Sequence, residues 1–442
     1  MAMPSQALLR LQFASLYSAF AAVIAAAAVL TLDCYAVPAV AETPRAIVFD
    51  EPIGQQGTIT FEVRTTQAYR TGPDRKTVTV DLLELPGLAR CRLAQSTTVC
   101  EVEWLWEAGV AAEGLTVEIP ALPGPDTYFF LFTWDATAGQ FTGYVNGVPL
   151  RLPGTELPPW KSPVATEARL AGEAAAVSFV SAEPRYLDPR QSLERVPEGL
   201  RGHRSELFGV FASQPQPIDI ASRRGELLYA SKLDTADSIK GWVMEGPGET
   251  HCRDGWMEMS SQRPHGPEGH TVSWCPETFP DRFVAEWEMK ILSQTGLCIV
   301  FFAAAGPKGE DIFSPTLPKR TGVFKQYTQG GINCYHISYF ANTPSAPGRS
   351  TSNIRKNSGF YLIANGPPGI EPGSDAMHRL RLVKDCSHIQ LQVDDRVVID
   401  YTDDGSGYGP PLGAGKIGLR QMQWTVARYR DFQVHALHAD GD

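Results

Sequence analysis

The sequence predicts an all-β protein built as two antiparallel β-sandwiches in tandem. Three observations lead there. Apolar and polar residues alternate at period two through most of the chain, as in strands with one face on a core and the other in water. The 40 Gly and 34 Pro are spread along its length, as turn residues are in a protein of many short strands. One arrangement of strand, turn, strand, two-residue hairpin and strand occurs once in each half. At 442 residues there is room for two or three domains at the usual ~100–200 residues each. With 43% apolar and 20% charged residues, each half can bury an ordinary core.

Residues 1–41 read as an export signal, which would place the mature chain in the periplasm, at the cell surface or outside the cell. Arg10 is the only charge before Asp33, Ala14 to Leu32 is a run rich in Ala, Leu, Val and Phe, and Ala39-Val40-Ala41 is a small-x-small cleavage pattern before Glu42. The apolar run is close to the ~20 residues that span a bilayer, so a retained anchor is the alternative. Once the signal is removed, no further run of spanning length follows. Seven cysteines then remain. An oxidising compartment would permit bridges, Cys91 with Cys100 and Cys252 with Cys275 being the candidates. Cys298, inside the apolar run Leu297 to Phe302, is expected to be a buried, inert thiol.

Residues 42–182 form the first expected sandwich. Gly57 to Arg64 and Thr77 to Leu82 alternate as half-buried strands. Phe129 to Trp134, a turn at Asp135 to Gly139, Gln140 to Val145, Asn146-Gly147 and Val148 to Leu152 make the hairpin unit. Asn-Gly suits a type I′ turn, whose two central residues need positive φ. Residues 183–225, with Pro184, Pro189, Pro197, Pro215 and Pro217, read as a linker packed along a domain, with a short helix around Gln191–Leu207. Residues 226–438 form the second sandwich. It opens at Glu226 to Tyr229, repeats the hairpin unit at His378 to Tyr401, and closes at Tyr429 to Val434. Its first and last strands are expected to pair.

Phe132-Thr133-Trp134-Asp135 and Tyr144-Val145-Asn146-Gly147 resemble the laminin-G and concanavalin A-like sandwiches. Residues 226–436 resemble the YesU-like family of the same superfamily, a domain of unknown function. That second resemblance is carried by Phe283-Val284-Ala285-Glu286-Trp287-Glu288, by Asn333-Cys334-Tyr335-His336-Ile337-Ser338-Tyr339 and by Gly415-Lys416-Ile417-Gly418-Leu419-Arg420-Gln421. The resemblance implies two concanavalin A-like jelly rolls and a carbohydrate partner. Relatives with this fold include glucanases, polysaccharide lyases, enzymes acting on oxidised sugars and plain lectins. It implies no particular catalytic residue, since a fold hosts many chemistries.

The net charge of −10 argues against nonspecific nucleic-acid binding and against docking on an anionic membrane. One segment runs against that balance. From Ile312 to Ile370 there is no Asp or Glu, yet Lys319, Arg320, Lys325, Arg349, Arg355 and Lys356 lie there. A segment cleared of carboxylates suits an anion, and Arg suits this best, since its planar fork binds carboxylate or sulfate in two parallel hydrogen bonds; the competing reading is a set of solvated loops. Alternation along Asn333 to Phe340 puts Asn333, Tyr335, Ile337 and Tyr339 on one face and Cys334, His336, Ser338 and Phe340 on the other.

These residues suggest a β-elimination on a uronic acid. Arg355 or Lys356 would neutralise the carboxylate, His336 would take the C5 proton, and Tyr361 or Tyr327 would protonate the leaving oxygen. Arg349, Asn353, Gln326, Tyr339 and Trp424 are the expected carbohydrate-binding residues. A buried, hydrogen-bonded His336 and a core Trp424 are the structural alternatives. Glu286 and Glu288 lie roughly 6–7 Å apart on one strand face, but Met289-Lys290 follows where a glucanase would need more acids, so an outward structural pair is expected. Asp403-Asp404-Gly405-Ser406-Gly407 offers oxygen ligands for calcium without the spacing of a known loop. The expected function is lyase-type cleavage of an anionic poly- or oligosaccharide. The alternatives are a non-catalytic carbohydrate-binding protein and an adhesion protein.

Overall fold

The structure is a computed structural model that describes residues 45–65, 77–107, 114–150, 164–170, 176–203, 215–263, 265–344, 347–349 and 351–440. The expected export signal at 1–41 lies outside these residues, as does the end of the expected helix at 204–207.

In the first sandwich the strands are β1 (Arg45–Ile53), β2 (Gln56–Arg64), β3 (Val78–Leu85), β4 (Ala89–Gln95), β5 (Val99–Trp106) and β6 (Leu115–Pro120). There follow β7 (Thr127–Asp135), β8 (Gln140–Val145), β9 (Val148–Pro149), β10 (Ala165–Leu170) and β11 (Ala176–Glu183). The second opens with β12 (Arg224–Ser231), β13 (Val243–Glu245), β14 (Gly248–Arg253), β15 (Trp256–Ser261) and β16 (Thr271–Trp274). It continues with β17 (Arg282–Ile291), β18 (Gly296–Ala305), β19 (Asn333–Asn342), β20 (Ser352–Asn357) and β21 (Tyr361–Gly366). Last come β22 (His378–Asp385), β23 (His388–Val393), β24 (Arg396–Thr402), β25 (Lys416–Gln421) and β26 (Ala427–Leu437).

Every described pairing is antiparallel, and the two sandwiches share one topology. The first has sheets ordered β1-β10-β3-β4-β5-β6 and β11-β2-β7-β8-β9. The second contains β16-β25-β18-β19-β20-β21 and β26-β17-β22-β23-β24 in the same sequence of connections, with β12 to β15 added at the edges. As expected, the first and last strands of the second sandwich, β12 and β26, pair. Both two-residue hairpins also behave as their sequences require: Asn146-Gly147 and Asp394-Asp395 all have φ between +50° and +82°.

Each sandwich has its own core. The first stacks Phe61, Phe130 and Phe132 against Trp104, Trp134 and Phe141. The second packs Phe283, Trp287 and Val434 from one sheet onto Phe302, Ile337 and Leu419 from the other. A smaller apolar cluster lies on the outer face of the second sandwich. There Val272, Trp274 and Phe301 are covered by Ile312, Tyr327 and Ile332 from the long β18–β19 connection.

Between the sandwiches, a helix at Pro189–Arg195 starts on a capping box made by Asp188 and Gln191. Val196, just after it, packs with Phe129, Leu131 and Tyr144 on the first sandwich. The helix is shorter than expected, because Pro197 follows its end.

The expected disulfides do not form, and the seven described cysteines are free. On neighbouring strands Cys91 faces Trp104, while Cys100 faces Gln95. That offset of four residues separates the two by roughly 13 Å, where a bridge needs Cα atoms within ~7 Å. Cys298 is buried as expected, and burial pushes its thiol up to about 12.

Candidate functional site

The outer face of the β16–β21 sheet is where the acid-free segment meets the rest of the chain. Val300, Phe302, Tyr335, Ile337, Ile354 and Leu419 point inward to the core, so the residues between them point out. Register sets the outward residues in two rows. Gly418, Phe301, His336 and Arg355 stand side by side across β25, β18, β19 and β20. Arg420, Ile299, Ser338 and Asn353 form the next row. Alternation groups Cys334, His336, Ser338 and Phe340 on one face, and the structure turns the first three of these outward. Phe340 departs from it because Tyr339 is an extra residue: Cys298 pairs with Phe340 and Ile299 with Ser338, and the bulge leaves both Tyr339 and Phe340 in the core.

A cavity of about 240 Å³ lies over these rows. His336, Ser338, Asn353 and Arg355 form its floor, Phe324 and Phe360 its aromatic sides, and Arg349 its rim. One wall comes from the other sandwich, from Ser96, Thr97 and Thr98 in the turn between β4 and β5, and Leu297, Ile299, Ala341, Thr343 and Met422 complete the lining. None of its lining residues is acidic.

Arg355 is 4% exposed. Its guanidinium lies 4.1 Å from the Phe360 ring centroid, donates to the Phe360 carbonyl at 3.1 Å, and donates to the Thr97 carbonyl of the first sandwich. Arg349 is half-buried and donates to the Thr351 carbonyl at 2.8 Å and to Ser338 Oγ at 2.8 Å. Among the described residues neither makes an ion pair. Desolvation pulls Arg349 down to about 10, and desolvation with the nearby Arg349 charge pulls Arg355 to about 9. Both stay charged at neutral pH. Arg420, 1% exposed, lies 4.3 Å from the Phe324 centroid and meets His270 Nδ1 at 2.8 Å.

His336 is held among Phe301, Phe324 and Phe360. Burial, and then the charges of Arg355, Arg420 and Arg349, lower its pKa well below the ordinary value, so the ring is neutral. Asn357 Nδ2 donates to its Nδ1 at 2.9 Å, which leaves the proton on Nε2. In this tautomer the free nitrogen is a donor. The nitrogen that could take a proton in this tautomer is Nδ1, and it is already engaged by Asn357.

The other expected residues are dispersed. Lys356, next to Arg355 in the chain, points to the opposite face and is paired at 2.7 Å with the buried Asp403. Asp403 also accepts from Tyr335 at 2.5 Å, so one of the oxygens offered for calcium is already engaged by a lysine and a tyrosine. Among the described residues no cluster of His, Cys, Asp and Glu could hold a metal. Tyr361 stacks on Tyr408 at 3.9 Å, and the Tyr327 hydroxyl donates to Glu245 at 2.7 Å. Gln326 accepts from Thr321 N at 2.7 Å within its own loop. Trp424 lies half-buried in the turn after β25, outside the cavity wall. Of the expected set, His336, Arg349, Asn353 and Arg355 therefore come together, and no tyrosine joins them.

Arg420 and the first-sandwich turn were missed. Alternation with the core residues Ile417 and Leu419 marks Arg420 as outward, while nothing local marks Thr97. Glu286 and Glu288 lie on the outer face of the opposite sheet, paired with Arg224, Arg381 and Arg430, and line a separate cavity of about 720 Å³.

Comparison with known proteins bears on the second sandwich. Residues 226–434 match the family described as a domain of unknown function, DUF1961. The chain is 42% identical over 217 residues to the uncharacterized protein YesU of Bacillus subtilis, covering 97% of that protein and 48% of itself. A crystal structure of a Bacillus subtilis protein of unknown function with a galectin-like fold matches at 40% identity, over 49% of this chain and 98% of that one, with a TM-score of 0.46. A carbohydrate-binding module, CBM66, also from Bacillus subtilis, matches at 13% identity, over 44% of this chain and 96% of that one, with a TM-score of 0.30. Through its second sandwich, the chain belongs to the DUF1961 family.

Proposed function

We propose that this is an exported carbohydrate-binding protein whose second sandwich grips a uronate unit of an acidic poly- or oligosaccharide. The observation that carries the reading is Arg355: a buried guanidinium, answered by two carbonyls and an aromatic face, with no carboxylate beside it among the described residues. A buried charge is costly unless an opposite charge meets it. A ligand carboxylate set between Arg355 and Arg349 supplies that charge, in the planar geometry that Arg prefers. The Nε2–H of His336, Asn353 and Ser338 offer hydrogen bonds to ring hydroxyls, and Phe324 and Phe360 offer apolar faces to the ring.

Two observations favour binding over elimination. His336 is a neutral donor in the pocket, and the expected tyrosine acids are engaged elsewhere.

Calorimetric titration with oligogalacturonates and with neutral oligosaccharides of equal length tests the reading. The acidic ligands should bind at least tenfold more tightly, and Arg355→Gln should remove the difference. Equal affinity for both classes in the unsubstituted protein would refute it. Incubation with polyuronates should leave ultraviolet absorbance unchanged, since a lyase product carries a new absorbing double bond.

A further inference from the structure

An open sheet face would offer a glycan a groove running across the strands, able to hold internal units of a long chain. Here that path is walled at both ends of the His336 row, while along the next row the cavity continues over Ile299 to Leu297 and Met422. On one side, Tyr327 stacks on Phe301 at 5.3 Å and lies 6.4 Å from Trp274, covering the row that leads to His336. Its hydroxyl donates at 2.7 Å to the buried Glu245, which also accepts from Trp274 and Arg320. On the other side, beyond Arg355, stands the Thr97 carbonyl of the first sandwich.

The second wall is as firmly held as the first, although it comes from the other sandwich. Within the turn, Ser96 N donates to the Val99 carbonyl at 2.8 Å, and Ser96 Oγ accepts from Val99 N at 3.0 Å. The Thr98 carbonyl accepts from Ala121 N at 3.0 Å. The Ala121 carbonyl in turn accepts from Asn365 of β21 at 2.8 Å, so the turn is tied back to the sheet it overhangs. Gln95, which precedes the turn, exchanges hydrogen bonds with the Leu122 backbone at 3.1 and 3.3 Å. What remains between the walls is about 240 Å³, below the ~300–1,000 Å³ of sites for drug-sized ligands. That is space for a single sugar unit.

We infer that the pocket takes the terminal uronate of a glycan chain, and that the turn carrying Ser96, Thr97 and Thr98 excludes internal units. This rests on the uronate-binding reading and narrows its ligand to chain ends. The first sandwich thereby becomes part of the binding site through the shape it imposes on it.

The test uses the full-length protein and oligogalacturonates of increasing length, followed by calorimetry. End recognition predicts affinities within about threefold of each other from the dimer upward. On long polymer, stoichiometry should follow the number of chain ends and rise as the polymer is shortened at constant mass. A second protein, in which the connection between Gln95 and Cys100 is shortened to Asn-Gly, should gain at least fivefold in affinity between short and long oligomers. Affinity that climbs with length in the unsubstituted protein, or stoichiometry that follows polymer mass, overturns end recognition while leaving uronate binding intact. No binding at any length overturns both readings. A shortened turn that folds but still binds only ends removes the turn from its role as the wall. Should that variant not fold, the length series on the unsubstituted protein decides the question alone.

Discussion

Arg355 and Thr97 are separated by 258 positions in the chain, yet the guanidinium of one donates to the carbonyl of the other. The bond joins the floor of a pocket in one sandwich to a turn of the other. Arg355 also stands in register with His336 on the neighbouring strand, so one residue links the imidazole, its own sheet and the first sandwich. Its neighbour Lys356 points away and is neutralised by Asp403. Adjacent cations thus have opposite roles, and the expected outcomes of changing them differ accordingly.

Arg355→Lys should lower uronate affinity by about tenfold or more, about 1.4 kcal/mol, because an ammonium is a point charge and cannot make two parallel bonds to a carboxylate. Arg349→Lys should act in the same direction. Calorimetric titration reads both effects, and unchanged affinity in either variant would remove that side chain from the carboxylate's partners.

Lys356→Met should leave uronate affinity of the folded protein unchanged and destabilise it by roughly 3–5 kcal/mol, since it strands the buried Asp403 without its cation. Urea denaturation measures the loss. A stable variant with impaired binding would reverse the assignment of the two neighbours.

Glu245→Gln should weaken the first wall of the pocket. Glu245 holds the nearly buried Arg320 at 2.7 Å and the Tyr327 hydroxyl at 2.7 Å. Losing its charge leaves Arg320 uncompensated, at a cost of roughly 3–5 kcal/mol. Hydrogen exchange should speed up across residues 312–332, the apolar cover of Phe301, before it does in β22 or β23. Uniform acceleration would mean that the cover is not a separate unit.

Stability should depend on pH through His336 with a definite sign. Its folded pKa lies well below 6.5, so between the two values the unfolded chain binds the extra proton. The stabilisation from keeping the ring neutral is fully present above about 6.5 and is lost as pH falls toward the folded value. His336→Gln should therefore flatten the melting temperature below pH 6.5. His388 has the opposite sign: its hydrogen bond to Asp400 raises its pKa, so its contribution is present below 6.5 and is lost as pH rises through its folded value. An acid limb unchanged by His336→Gln would contradict the buried neutral ring.

The architecture was legible because it is written locally. Period-two alternation, the Asn146-Gly147 turn and the repeated hairpin unit each depend on residues a few positions apart, and they suffice to call two all-β sandwiches. The same local rule sorted His336 from Tyr335 on β19, and it failed at Phe340 only where an extra residue enters the strand. Arg349, Asn353 and Arg355 of the acid-free segment line one cavity together. What those cations do could not be read from the segment itself. Arg320 finds Glu245 and Lys356 finds Asp403, both carboxylates from outside it, while Arg355 meets a carbonyl from the other sandwich. The thiols follow the same division: the spacing of Cys91 and Cys100 suggested a bridge, and the strand register sets them apart. Alternation and turn chemistry act over a few bonds and are carried by the sequence alone. Charge pairing, desolvation and the closing of a pocket act through space, between residues that only the folded chain brings together.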